Sequence, residues 1–210
     1  MTNAIAPRRK PQQDRSRKRV EAILEAAERL LVTSNPDDLS MREIARQADV
    51  PIASIYQYFP SKAVILRHLV ERNQDRVRRM LVGELERALA EREGAHDIAP
   101  VVDRLVAAFF AHYEGHPEAI AVWAGAQADD DLRALDVADN RRLADLLAPY
   151  VAQLAGGLDR HTALAVAMLV VEISGHVARL ALAQERRLRD DLQRQFALMV
   201  TALVERHAGG

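Results

Sequence analysis

Residues 39–62, LSMREIARQADVPIASIYQYFPSK, leave fewer ways to fold than any other stretch of this 210-residue chain. Ser40 is a natural N-cap, and Glu43, three residues on, completes the spacing of a capping box. Leu39 before the cap and Ile44 four residues after it have the spacing of a hydrophobic staple. The helix that starts there must be short, because Ala48-Asp49-Val50-Pro51 follows at once. Asp49 is the residue of that turn expected at positive φ, since Asp tolerates left-handed geometry better than most side chains. Pro51 suits the first turn of the next helix, where its missing N–H costs nothing. Pro60-Ser61 ends that helix and caps a longer one opening at Lys62.

Two short helices joined by so tight a turn are the helix-turn-helix pattern. On a helical wheel, Ile55 and Phe59 of the second helix point inward, with Ile52 leaning the same way. Ala53, Ser54 and Gln57 point outward, and Tyr56 and Tyr58 lie on the two flanks. Small and amide side chains can face base edges, and hydroxyl-tipped aromatics can reach phosphates on either wall of a groove.

Charge supports a polyanion-binding front. Residues 1–79 hold 16 Lys+Arg against 10 Asp+Glu, a net of +6, and the remainder holds 13 against 20, a net of −7. A basic head on an acidic body suits a head that binds a polyanion and a body that repels one. Arginine outnumbers lysine 26 to 3 along the whole chain, a bias that reflects genome composition more than phosphate recognition.

Composition narrows the rest. About half the residues are apolar, aromatics are scarce, and Ala, Leu, Arg, Glu and Asp dominate, all of which favour helix over sheet. With no cysteine there is no disulfide framework, thiolate metal site or cysteine nucleophile. No signal-peptide pattern stands at the N-terminus. The most apolar stretch, 162–183, contains Glu172, His176 and Arg179, and reads as a buried helix without membrane contact. A cytoplasmic protein is expected.

The expected organisation is a mobile basic tail over 1–14, a helix-turn-helix domain over 15–77 with its motif at about 40–59, and a helical body over 78–210. A first helix is expected over 15–32 from the stripe Val20, Ile23, Leu24, Ala27, Leu30 and Leu31, ended by the loop signal of 33–38. Five or six longer helices follow Lys62, with breaks at Gly94, at Gly115-His116-Pro117, near 128–131 and at Gly156-Gly157. The last, over 188–207, carries Leu192, Phe196, Met199 and Leu203 at 4-3-4 spacing, a seam for another helix.

Residues 40–66 resemble the signature of TetR-family regulators. The elements that carry the likeness are Ser40, Ile44-Ala45, Ala48-Asp49-Val50, Tyr56-Gln57-Tyr58-Phe59 and Lys62, and it is strong over 15–77. Asp49 stands where glycine is usual in the turn, Ala53 where glycine is usual in the third helix, and Pro51 replaces a Ser/Asn cap. The last change removes a side-chain cap and weakens that helix start. The resemblance implies an all-α homodimer that binds a palindromic double-stranded operator and releases it when a small-molecule effector fills the body. It implies phosphate contacts from Ser40, Tyr56, Tyr58 and Lys62, and base-edge contacts from Ile52, Ala53, Ser54 and Gln57. Arg42 can reach either. The basic residues Arg8, Arg9, Lys10, Arg15, Arg17, Lys18 and Arg19 can lie along phosphates or enter a minor groove, or simply be solvated.

In the body, the resemblance implies dimerisation through the last two helices. Small residues over 162–183 and the Leu192/Phe196/Met199/Leu203 seam fit that, or fit packing within the subunit. Phe109, Phe110, Tyr113, Trp123, Tyr150 and Met168 suit an effector cavity or ordinary core equally well. Glu172, His176 and Arg179 form one polar stripe, which belongs to either a cavity or a dimer interface. No cofactor or metal site is expected. His112 and His116 have metal spacing, but Gly115 and Pro117 break the helix that would align them, and the one Glu-x-x-His, Glu93 to His96, falls in a loop. P-loop, GxGxxG and GxSxG motifs are lacking. Two other readings stand beside this one: a DNA-binding activator or nucleoid protein without effector, and a helical small-molecule enzyme.

Overall fold

In a computed structural model of the protein, residues 10–33, 39–91, 97–127 and 129–208 are described. Among these residues the chain forms nine α-helices and no strand: α1 (Lys10–Thr33), α2 (Met41–Gln47), α3 (Ile52–Tyr58), α4 (Lys62–Ala90), α5 (Ala99–Gly115), α6 (Pro117–Gln127), α7 (Asp130–Leu154), α8 (Arg160–Leu182) and α9 (Arg186–Ala208). Helix starts follow side-chain caps. Ser61 accepts from the Val64 N–H at 3.4 Å, Asp129 from Leu132 at 3.0 Å, and Asp159 from His161 and Thr162 at 2.9 and 3.2 Å. Between α7 and α8 the chain turns through Gly156 and Gly157, both at positive φ (78° and 111°), which only glycine adopts without strain.

α1 starts five residues before the expected position. Its extra turn includes Pro11, which the first turn tolerates because that N–H has no intrahelical partner. Residues 1–9 of the expected tail, most of the 33–38 loop, the Gly94 break and the Glu93–His96 motif lie outside the described residues.

There are two main cores, and α4 runs through both. A 29-residue helix is about 43 Å long at 1.5 Å per residue. Its N-terminal half gives Ile65, Leu69 and Val70 to a head core with Ile23, Leu31, Ile44, Ile55 and Phe59. Its middle gives Val77 and Leu81 to a body core with Phe109, Phe110, Leu143, Val166, Val171, Phe196 and Val200. The head is not closed by its own helices: Val122 of α6 and Leu132 of α7 are buried in the same cluster.

α8 lies between α7 and α9. By length and apolarity alone it would qualify as a membrane span. Instead one face, with Ala163, Ala167 and Ala178, is buried in the body core, where small side chains allow close helix approach. The seam expected on α9 is used inside the subunit. Phe196 is 4% exposed and Leu192 and Leu203 pack against the body core, whereas Met199 alone of the four faces solvent. A 4-3-4 apolar stripe specifies only that a helix has a partner, and here α5 and α8 provide it. The solvent-facing apolar residues of this layer are Leu169, Ile173 and Leu180 on α8 and Leu188, Leu198 and Met199 on α9.

Candidate nucleic-acid interface and effector cavity

The head surface is built by local capping. Ser40 Oγ accepts from the Glu43 N–H at 3.2 Å and donates to Glu43 Oε2 at 2.8 Å, closing the expected box side chain to side chain. Leu39 and Ile44 are both buried in the head core, as a staple requires. Asp49 has φ 53°, the one non-glycine residue at positive φ among those described. Pro51 is the N-cap of α3 and makes no side-chain cap, so α3 is held by what it buries, Ile55 at 0% and Phe59 at 1% exposure. Edge contact of Phe59 with the His68 ring, 5.5 Å between centroids, ties α3 to α4.

The outward face of α3 shows Ala53, Tyr56 and Gln57 exposed and Ser54 partly so. Ile52, expected to lean inward, is 38% exposed, because it is the first residue of α3 and stands beyond the end of the core that Ile55 and Phe59 fill. The two tyrosines differ. Tyr56 is exposed, but Tyr58 is half-buried against the head core and its hydroxyl accepts from Ser16 Oγ at 3.2 Å, fastening α1 to α3. Arg42 is exposed at the second position of α2, while Ser40 at its cap and Lys62 at the first position of α4 are partly exposed. Arg15, Arg17, Lys18 and Arg19 are exposed on α1, with Arg17 paired loosely to Asp14 at 3.5 Å.

In the body, α4 to α8 enclose a cavity of about 180 Å³. Of the residues singled out from the sequence, Phe109, Tyr113, Trp123, Glu172, His176 and Arg179 line it. Three others do not. Phe110 is 1% exposed in the body core, Met168 packs against that core, and Tyr150 belongs to a separate small cluster with Leu85, Ala88 and Val101. The polar stripe of α8 therefore faces the cavity: the Arg179 guanidinium lies 4.1 Å from the Trp123 ring centroid and the His176 ring meets Trp123 edge-on at 5.5 Å.

The remaining polar lining comes from residues with no sequence signal. Asp136 accepts from Trp123 Nε1 at 3.2 Å, Gln127 Nε2 at 3.0 Å and Gln74 Nε2 at 3.5 Å. Burial raises the Asp136 pKa against the pull of these bonds, and the charge of Glu172 adds to the rise. Asp139, 5% exposed, is paired with Arg78 at 2.5 Å. Asn73 links two further groups, donating to the Tyr113 hydroxyl at 3.5 Å and meeting His112 Nε2 at 3.0 Å. Burial, with the nearby charges of His116 and Arg76, pushes the His112 pKa down to about 4. His112 and His116 stand 4.8 Å apart ring to ring, yet each ring has its own partner, Asn73 and Glu118 respectively.

Within the head, α1 and α4 are joined by charge. Arg72 of α4 pairs with Glu21 of α1 at 2.7 Å and approaches Glu28 at 3.8 Å, and Arg76 lies 3.5 Å from Glu28. Burial raises the Glu28 pKa despite both arginines.

Two family profiles match the chain. That of bacterial regulatory proteins of the tetR family covers residues 23–69, and that of the tetracyclin repressor-like C-terminal domain covers residues 97–203. The chain belongs to the TetR family. It is a helix-turn-helix, DNA-binding transcriptional regulator.

Solved structures agree in fold. A tetR-family transcriptional regulator from Streptomyces coelicolor superposes with a TM-score of 0.64 at 19% identity, over 92% of this chain and 86% of that one. GusR of Salmonella enterica gives 0.65 at 17% identity, over 92% and 96%. The fatty acid degradation regulator FadR of Bacillus halodurans gives 0.62 at 17% identity, over 91% and 95%. None of the curated proteins compared with the chain matches it. Within the TetR frame, α2 and α3 are the helix-turn-helix and α5 to α9 the C-terminal domain, with α4 joining them.

Proposed function

We propose that this TetR-family protein is a cytoplasmic, non-catalytic homodimeric repressor that binds a palindromic operator and releases it when a small molecule fills the body cavity. The carrying observation is a shared wall. Val70 and Val122 line the cavity and are at the same time buried in the head core. A ligand pressing on that wall acts directly on α4 and α6, and α6 packs on α1. Packed cores pass on such a shift instead of absorbing it, so a ligand that prefers the shifted arrangement changes the spacing of paired recognition helices. Residues 15–77 serve as the DNA-binding unit and 78–210 as the effector and dimerisation unit, with α6 and the start of α7 bracing the head.

On DNA, Ile52, Ala53, Ser54 and Gln57 face base edges, while Ser40, Arg42, Tyr56 and Lys62 hold phosphates. Tyr58 serves first as a brace between α1 and α3. The dimer forms through the exposed apolar residues of α8 and α9, Leu169, Ile173, Leu180, Leu198 and Met199, in place of the Phe196 seam. The combined test is binding-site selection to define the operator, followed by sedimentation and operator binding of Leu169→Asp and Leu198→Asp. Both variants should sediment as monomers and lose operator affinity. Intact dimers from both would overturn this interface.

A further inference from the structure

The charges in the cavity do not balance one another. Three carboxylates line it, and Arg78 neutralises only Asp139. Asp136 is met solely by neutral donors, and the Glu172 carboxylate has neither hydrogen bond nor ion pair among the described residues. The two are close enough for the charge of Glu172 to act on Asp136. Cations nearby are committed elsewhere: Arg133 pairs with Asp130 on the exposed side, and Arg179 rests on the face of Trp123 with no carboxylate of the described residues in ion-pair range. His112, which leans on Asn73 behind this wall, is neutral at physiological pH. Half-buried carboxylates without a counter-charge are costly, and an aromatic face beside them attracts positive charge. Val77, Phe109, Val171 and Leu143 supply apolar lining.

We infer that the cavity's ligand is a small organic cation with an apolar body, its charged head held by Asp136 and Glu172 and taking the face of Trp123 from Arg179. Arg179 is thus an internal stand-in for the ligand head, and a like charge that the ligand must displace. This inference rests on the cavity being the effector site, but it fixes a ligand class that the site alone does not.

Trp123 is the single tryptophan of the chain, so intrinsic fluorescence reads the site directly. The full-length protein is titrated with three probes of similar body: benzyltrimethylammonium, benzyl alcohol and benzenesulfonate, with calorimetry as a second readout. The cation should bind about tenfold or more tighter than either of the others. Glu172→Gln, which breaks no hydrogen bond, should erase most of that preference and leave benzyl alcohol unchanged. Arg179→Ala should tighten the cation by opening the indole face. Preference for benzenesulfonate, an undetectable cation, an unchanged preference in Glu172→Gln, or weaker cation binding in Arg179→Ala would each overturn the inference. Operator binding is measured in parallel. A bound cation that leaves operator affinity unchanged sinks the release mechanism but not the ligand class, and a neutral or anionic probe that releases DNA does the reverse.

Discussion

The outward surface of α3 comes from seven consecutive residues, Ile52–Tyr58, whereas the cavity collects side chains from Val70 to Arg179 on five helices. The first is fixed by short-range rules: a cap, a staple, a left-handed turn residue and two buried anchors about one helical turn apart. The second exists only when long helices cross at particular angles, and no run of residues announces it. The contrast bears on how each surface can change. A recognition helix can be re-coded one residue at a time without touching the core, because Ala53, Tyr56 and Gln57 are exposed while Ile55 and Phe59 are not. The cavity shares Val70 and Val122 with the head core, so in the proposed mechanism its alteration reaches the DNA surface.

The largest effect should come from emptying the head core. Phe59→Ala removes a 1%-exposed aromatic and should cost about 3–5 kcal/mol of stability. Because α4 spans both cores and Val122 and Leu132 belong to the head, helix loss by circular dichroism and Trp123 emission should follow one denaturant transition. Two separated transitions would show the head to be an independent unit and would break the proposed coupling through α4.

Smaller, and confined to the surface, is Gln57→Ala. Its amide is exposed on α3, and loss of one bidentate base contact costs about 1–3 kcal/mol of discrimination. Specific binding should weaken by roughly 5- to 150-fold while random DNA is held as before. The selected operator should lose its preference at one base pair in each half-site. Identical selected sequences for variant and wild type would move the readout to Ile52, Ser54 or Arg42.

Much of the head was legible because its signals are local. Ser40, Glu43, Leu39, Ile44 and Asp49 all do what their spacing predicts. Ile52 departed from the wheel because a seven-residue helix resting on Ile55 and Phe59 leaves its first residue outside. In the body, helix breaks at Gly115–Pro117 and Gly156-Gly157 were readable from glycine and proline chemistry. The direction a stripe faces was not. Leu192, Phe196 and Leu203 announce a partner helix but not whose, and the answer lay in the placement of α5 and α8. Asp136, Gln74 and Asn73 gave no signal at all, since single polar residues on mixed helices are ordinary surface until another helix covers them. Likewise the bracing of the head by α6 is a long-range contact with no local trace.

A pH experiment separates the two regions further. His112 sits behind the cavity wall, with its folded pKa near 4 against an ordinary value of 6.5. Above pH 6.5 it is neutral folded or unfolded and stability is full. Between 6.5 and 4 the unfolded chain takes the proton and the folded chain does not, so stability falls with pH, by on the order of 1 kcal/mol once solvent screening of a half-buried group is allowed for. His112→Gln keeps a donor for Asn73 Oδ1 and does not titrate, so the fall over this window should shrink relative to wild type. An unchanged profile would mean that other histidines carry it.

The smallest expected effect tests whether the cavity is open space or a packing compromise. Gly175 lies inside α8, lines the cavity, and a Cβ built there meets no atom within 4 Å. A glycine in a helix interior costs about 0.8–1 kcal/mol relative to alanine, because the unfolded chain loses more freedom. Gly175→Ala should therefore stabilise the protein by up to that amount, read as a higher denaturant midpoint at unchanged slope. One methyl takes little of the cavity, so operator affinity without ligand should stay as it is. A destabilised Gly175→Ala would reveal that the far wall of the cavity approaches α8 more closely than its open surroundings indicate, and that the cavity is a packing compromise and not open space.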